Sequence, residues 1–203
     1  MEKSAASSQN RLRSLAWMTG IGLLFGALTV LGQAVLPGSW NHFANSGAVW
    51  LIASFLVGWR MPSAAWAAAG GFVSLIGALA GYTAVITLLG LAYPLSTIAF
   101  WGAIALVGGP IFGLAGWWRR RPADAWPHAV SAALMGGVFI AEGWYMLAVI
   151  QDALSGWVSI AIGGLFALLL PRTWKARSRS LAALVPIVLL GIAAYALLAR
   201  LAS

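Results

Sequence analysis

One carboxyl group stands apart in this sequence. Glu142 falls in the apolar run from Ala125 to Ile150, in the string Ala141-Glu142-Gly143-Trp144-Tyr145, and no other acidic residue lies inside a long apolar stretch. A charged side chain at the centre of a bilayer costs roughly 2.5–3.5 kcal/mol or more, so it normally faces a bundle interior or a wet cavity and has a partner. At about 100° per residue, His128, Ser131, Glu142 and Tyr145 share one stripe of a helix, while Trp126 and Trp144 share the opposite face. A carboxyl so placed can hold a basic solute or carry a proton. The plainer alternative is a shallow hydrated Glu, or one hydrogen-bonded between helices.

Depth separates these readings. If Trp126 and Trp144 both mark membrane interfaces, about 27 Å apart along the axis, Glu142 sits just under the outer surface. If the helix instead ends near Gln151 and Asp152, Glu142 lies about 13 Å deep. Other polar groups gather toward the same level. Gln33 closes the first apolar run, Asn41, His42 and Asn45 open the second, Tyr82 and Thr83 lie in the third, and Gln151 and Asp152 follow the fifth. Together with Trp101, the set Glu142, Tyr145, Gln33, Asn45 and Tyr82 would make an outward-facing pocket with one acid, amide groups and aromatic walls. That chemistry suits a small polar or cationic solute. Asn41 and His42 fit a polar loop beside water at least as well.

Enzyme chemistry fits poorly, and no catalytic residue, metal site or cofactor is expected. The chain has no Cys, which removes thiolate catalysis, disulfides and Cys-ligated metals. His42 and His128 fall at opposite ends of their helices and cannot share a metal ion. No paired carboxylates, nucleophile-turn serine, HExxH or P-loop pattern is present. Neither Lys3 nor Lys175 lies in an apolar run, so a retinal Schiff base has no anchor.

The elements that must carry Glu142 follow from composition. The 203 residues are 62% hydrophobic and 8% charged, against about a quarter charged in a soluble domain. Runs near the 20 residues needed to cross about 30 Å of hydrocarbon recur along the chain. Seven are expected: Leu15–Leu36, Ala44–Trp59, Ser63–Leu91, Leu95–Trp118, Ala125–Ile150, Leu154–Leu170 and Leu181–Leu198. The expected fold is an all-α polytopic bundle, residues 15–203, behind an N-terminal cytoplasmic tail, residues 1–14. The second run is short and begins with polar residues.

Charge orders these runs. With the N-terminus inside, Lys3, Arg11, Arg13, Arg60, Arg119, Arg120, Arg121, Arg172, Lys175, Arg177 and Arg179 all fall on the cytoplasmic side, and only Arg200 falls outside, where the C-terminus then lies. The net charge of +8 is therefore a topology signal, not a nucleic-acid one. Most of the 12 Trp residues fall at the two interface levels. Gly22 with Gly26, and Gly109 with Gly113, form close-packing steps. Gly108-Gly109-Pro110 marks an expected kink. The last run, apolar apart from Pro186 and Tyr195, reads as peripheral and lipid-facing. Gly58-Trp59-Arg60 is echoed by Gly116-Trp117-Trp118-Arg119, a likeness that shared interface demands explain as well as duplication does.

Two resemblances extend this reading. The stretches Ala48–Gly58 (AVWLIASFLVG), Ala99–Trp118 (AFWGAIALVGGPIFGLAGWW) and Glu142–Tyr145 (EGWY) resemble an uncharacterised family of actinobacterial membrane proteins. From Phe25-Gly26 through Trp50, Gly58 and Pro62, the chain looks like the membrane substrate-binding (S) components of energy-coupling-factor vitamin transporters. The second likeness implies capture of a solute from outside and a partner that supplies energy. Its usual six helices differ from the seven expected here. The expectation is thus a multi-pass protein of the bacterial inner membrane, in contact with lipid, that binds or takes up a small solute. The alternative is a non-catalytic accessory protein that stabilises or regulates a membrane complex.

Overall fold

Residues 36–46, between the first two long helices, set the shape of the fold. The computed structural model describes residues 2–123 and 125–202, and the side chains within them except those of 2–15, 198, 199, 201 and 202. The topological roles expected of Lys3, Arg11 and Arg13 rest on side chains outside that set. Helix α1 spans Glu2–Val35, so the backbone of the expected tail continues the first helix. Pro37 cannot extend that helix, and Gly38 takes a left-handed φ of 53° that suits a residue without Cβ. A 3₁₀ turn, Gly38–Trp40, leads into a one-turn helix α2, Asn41–Ala44. The Asn41 amide donates to the carbonyls of Gln33, at 2.6 Å, and Leu36, at 3.3 Å. It thereby satisfies acceptors that the end of α1 leaves open.

Helix α3, Gly47–Arg60, begins only after this detour and has 14 residues, about 21 Å of axis. The expected second span, Ala44–Trp59, is corrected accordingly. Asn45 and Ser46 precede the helix, and α3 falls short of a full crossing. The remaining helices are α4 (Ala64–Leu88), α5 (Leu95–Trp118), α6 (Trp126–Tyr145), α7 (Ala153–Leu169) and α8 (Trp174–Ala202). Helix α5 runs on through Pro110. Helix α6 continues as a π turn, Met146–Ile150, closed by Gln151 at φ 62°. Helix α8 starts well before the expected Leu181, taking Lys175, Arg177 and Arg179 into its first turns.

Among the described residues all seven long helices are α, and five contain stretches long and apolar enough to cross a membrane: Ala16–Val35, Ala64–Leu88, Leu95–Trp118, Trp126–Ile150 and Trp174–Leu197. Helix α7 is apolar but shorter. The chain is a multi-pass helical membrane protein.

Packing divides the bundle into two groups. Helix α4 lies between α1 and α5, with α3 against α5 and α4, while α6 carries α7 and α8. Small residues make both groups close. A Cβ on Gly26 would run into the Ala78 carbonyl, and one on Gly113 into the Ala67 carbonyl. Gly136 and Gly163 meet in the same way between α6 and α7. The GxxxG steps are therefore helix contacts, as their spacing suggests. Phe55, Phe112, Met135 and Phe139 fill the core where α3 and α5 meet α6.

The α3–α4, α5–α6 and α7–α8 turns share one end, and it is the basic end. The Arg119 guanidinium donates to the Leu170 carbonyl at the close of α7, at 2.6 Å, and Arg120 donates to the Met61 carbonyl just past α3, at 2.7 Å. Arg121 lies over Trp117, Arg177 over Trp174 and Arg179 over Trp126. Cations and interfacial Trp rings thus mark the same level from two of these turns.

Candidate functional site

The late start of α3 places a helix N-terminus inside the bundle, and Glu142 faces it. Ser46 is the N-cap of α3 and accepts from the Val49 N–H at 3.1 Å. Its hydroxyl donates to Glu142 Oε2. The Ala48 N–H donates to Glu142 Oε1 at 3.4 Å, and the Tyr195 hydroxyl donates to the same oxygen at 3.1 Å. His42 Nε2 lies 3.6 Å from Oε2. The open N–H groups and positive dipole end of a helix favour an acceptor of this kind. Glu142 is 2% exposed. It ties α3 to α6 and α8.

Its depth follows from the helix around it. The span Trp126–Ile150 carries Glu142 eight residues from its far end, about 12 Å along the axis. The deeper of the two sequence readings is the one the helix ends support, because the helical chain runs past Trp144 through the π turn to Ile150. The fourteen residues of α3 reach the same level from the basic end, which is why its first turn meets Glu142. The π turn beyond Glu142, a feature common at functional sites, carries Met146 into the same region.

Beside Glu142 lies a cavity of about 430 Å³. Its walls are Trp50, Leu51 and the two α4 residues Leu75 and Leu79 on one side, with Phe100, Trp101 and Ile104 from α5. Val138, Tyr145 and Met146 from α6, and Gly191, Ala194 and Tyr195 from α8, close the other side. His42 and Asn45 form the polar lip. Trp50 and Trp101 lie with ring centroids 6.3 Å apart, and Tyr145 stacks on Tyr195 at 5.3 Å. The walls are mainly aliphatic and aromatic, so the pocket is less polar than the sequence suggests.

Of the six candidate residues, Glu142, Tyr145, Asn45 and Trp101 line this cavity. Gln33 and Tyr82 do not. Gln33 serves the end of α1, where its carbonyl accepts from Asn41. Tyr82 packs behind the wall, against Trp50 at 5.9 Å and Tyr93 at 5.2 Å. The sequence reading missed three contributors. Ser46 carried a signal, since a Ser before an apolar run is an N-cap pattern. Tyr195 carried a fainter one, as a lone hydroxyl in an apolar helix. Helix α8 is largely exposed, as expected of a peripheral, lipid-facing helix, and its Tyr195 face turns inward to Glu142. Trp50 had no signal beyond being one Trp among many. Its Nε1 and the Nε2 of His42 are buried without a hydrogen-bond partner in the protein.

Two further polar clusters lie elsewhere. At the basic end Arg119, 9% exposed, contacts the His128 ring within 3.1 Å of either nitrogen. Burial lowers the Arg119 pKa, and the neighbouring Arg172 lowers it further. His128 and His42 thus belong to opposite ends, as the sequence implies. At the other end Asp152 caps α7, accepting from the Ser155 N–H at 3.1 Å. The Ser155 hydroxyl lies 2.7 Å from Asp152 Oδ2 and 2.8 Å from the Ser39 carbonyl, and its one proton serves one acceptor at a time. Hydrogen bonding from Ser155 holds the Asp152 carboxyl below its usual pKa. Among the described residues, no group of three His, Cys, Asp or Glu could hold a metal ion.

Neither a curated protein nor a solved structure matches the chain. A model of a family of unknown function, DUF6518, matches residues 5–201. That match agrees with the first resemblance, to an uncharacterised membrane family, and because it takes in nearly the whole sequence the chain belongs to the DUF6518 family.

Proposed function

We propose that this protein binds a small organic solute in the Glu142 cavity and serves its uptake across the bacterial inner membrane. The observation that carries the reading is the cavity itself. A volume of about 430 Å³ falls within the 300–1,000 Å³ of ordinary ligand pockets, and it adjoins the one acid within the spans. The positive-inside rule puts the basic end in the cytoplasm, so the cavity lies in the outer half of the membrane. Aromatic faces at Trp50, Trp101 and Tyr145 beside a carboxyl group suit a cation with an apolar body. Uptake would require an energising partner protein, since the chain has no nucleotide-binding motif. The reading involves neither catalysis nor nucleic acid.

The test is native mass spectrometry of the protein purified gently from its own membranes, beside Glu142→Gln and Trp101→Ala. A bound organic molecule in the wild type, lost or weakened in both variants, is expected. Trp101 makes no hydrogen bond to the α3 cap, so its variant separates ligand loss from misfolding. A wild-type protein carrying only bulk phospholipid would overturn the proposal.

One observation favours a second reading, that of an accessory protein without a ligand. Both Glu142 oxygens already accept from groups of the protein itself. Glu142 would then be a fastener between helices, and a protein partner would co-purify with no small molecule.

A further inference from the structure

The cavity has walls from helices that do not pack on each other. Phe100, Trp101 and Ile104 line it from α5, and Gly191, Ala194 and Tyr195 line it from α8, yet α5 and α8 share no packed interface. Helix α8 is held by α6 instead. Ala194 is exposed as well as lining the cavity. Leu95, Leu106 and Val107 of α5, and Leu189, Leu190 and Leu197 of α8, are exposed apolar residues. Both helices qualify as membrane spans, so what lies outside the gap between them is hydrocarbon.

We infer that the cavity is loaded sideways from the bilayer, through the gap between α5 and α8, and that its occupant is a single-chain amphiphile with a basic or neutral head. The inference rests on the ligand-binding reading and adds the route and the class. The apolar body lies along Leu75, Leu79, Ile104 and Val138. The head lies at the polar lip beside His42 and Asn45, and Trp50 Nε1, buried without a hydrogen-bond partner, offers it a donor. An acidic head is disfavoured, because Glu142 presents it with acceptor oxygens and no donor. A volume of about 430 Å³, at the small end of the pocket range, leaves no room for a two-chain phospholipid. A hydroxyl or amine head satisfies the lip, since either can both give and accept a hydrogen bond.

The experiment uses the whole chain in phosphatidylcholine proteoliposomes and two diazirine-bearing probes of equal chain length, a long-chain amine and a long-chain carboxylic acid. After irradiation, labelled residues are mapped by mass spectrometry. The amine should label 100–105 and 191–195 on their cavity sides. Labelling by the acid should be at least about tenfold weaker, the factor that 1.4 kcal/mol of preference gives. Ala194→Trp, which narrows the gap without touching Glu142, should slow labelling by the amine. Equal labelling by the acid overturns the head assignment, and labels confined to outward faces overturn the route. Water-soluble benzylamine is the third probe. If benzylamine binds and the long-chain amine stays out, this inference falls and the ligand-binding reading stands. If neither binds, both fall.

Discussion

At the scale of single residues, Ser46 does two jobs with one oxygen. It accepts from the Val49 N–H as an N-cap and donates to Glu142. A Ser cap replaced by Ala costs about 1 kcal/mol, and replaced by Gly only a few tenths. A hydrogen bond to a charged group is worth about 1.5–3 kcal/mol. Ser46→Ala should therefore lower stability by roughly 2–4 kcal/mol, read from unfolding curves in a fixed detergent. Ser46→Gly separates the roles. If the bond to Glu142 matters, Gly is nearly as damaging as Ala. If Ser46→Gly behaves like wild type, Ser46 is only a cap and Glu142 is held by its other partners.

The residue scale also shows where the sequence could be read and where it could not. Glu142 was legible because a lone acid in an apolar run is costly, and cost points to a built environment. Tyr145 was legible because it shares the stripe of Glu142, and Asn45 and Trp101 because they share its level on other runs. Gln33 and Tyr82 share that level too, yet they pair with each other behind Trp50 and do not line the cavity. Level follows from sequence position, whereas azimuth depends on which helices become neighbours. Tyr195 is the converse case. It lies 53 residues from Glu142 in sequence, and only the packing of α8 on α6 brings its hydroxyl to the carboxyl group.

At the scale of elements, run lengths gave most helices to within a few residues. Helices α1 and α8 begin well before their runs, and the second span is too short to cross, for a local reason. Asn41 draws its hydrogen bonds from the end of α1, and Gly38 supplies a left-handed turn, so the chain folds back before α3 can begin. The glycine steps were legible as contacts but not as pairs. Gly113 meets the Ala67 carbonyl, a neighbour that no spacing rule names. Replacing it tests whether these seams set the bundle. Gly113→Ala should cost about 1–3 kcal/mol, the usual penalty for overpacking, because the obstructing atom is backbone. Gly102, on the same helix, has nothing within 4 Å of its Cβ direction. Gly102→Ala should be neutral or stabilising by about 0.5–1 kcal/mol, the helical gain of Ala over Gly. Unfolding of both variants side by side checks the pair. Equal effects would mean that the seams are not the controlling contacts.

At the scale of the whole molecule, the function proposed here depends on which end faces outward. The basic turns are gathered at one end by structure, with Arg119 bound to the close of α7 and Arg120 to the close of α3. Insertion keeps such ends in the cytoplasm, since Lys and Arg near a span resist translocation. The cavity lip at His42 and Asn45 then faces out, beside the cap that Asp152 gives to α7. The chain contains no Cys, so each single-Cys variant reports one position without background. Ala123→Cys, in the turn between α5 and α6, should react with a membrane-impermeant maleimide only after cells are permeabilised. Ala153→Cys, exposed at the start of α7, should react in intact cells. The reversed pattern would put the cavity on the cytoplasmic side. Capture from outside would then be excluded, and the same aromatic pocket would serve export or sequestration.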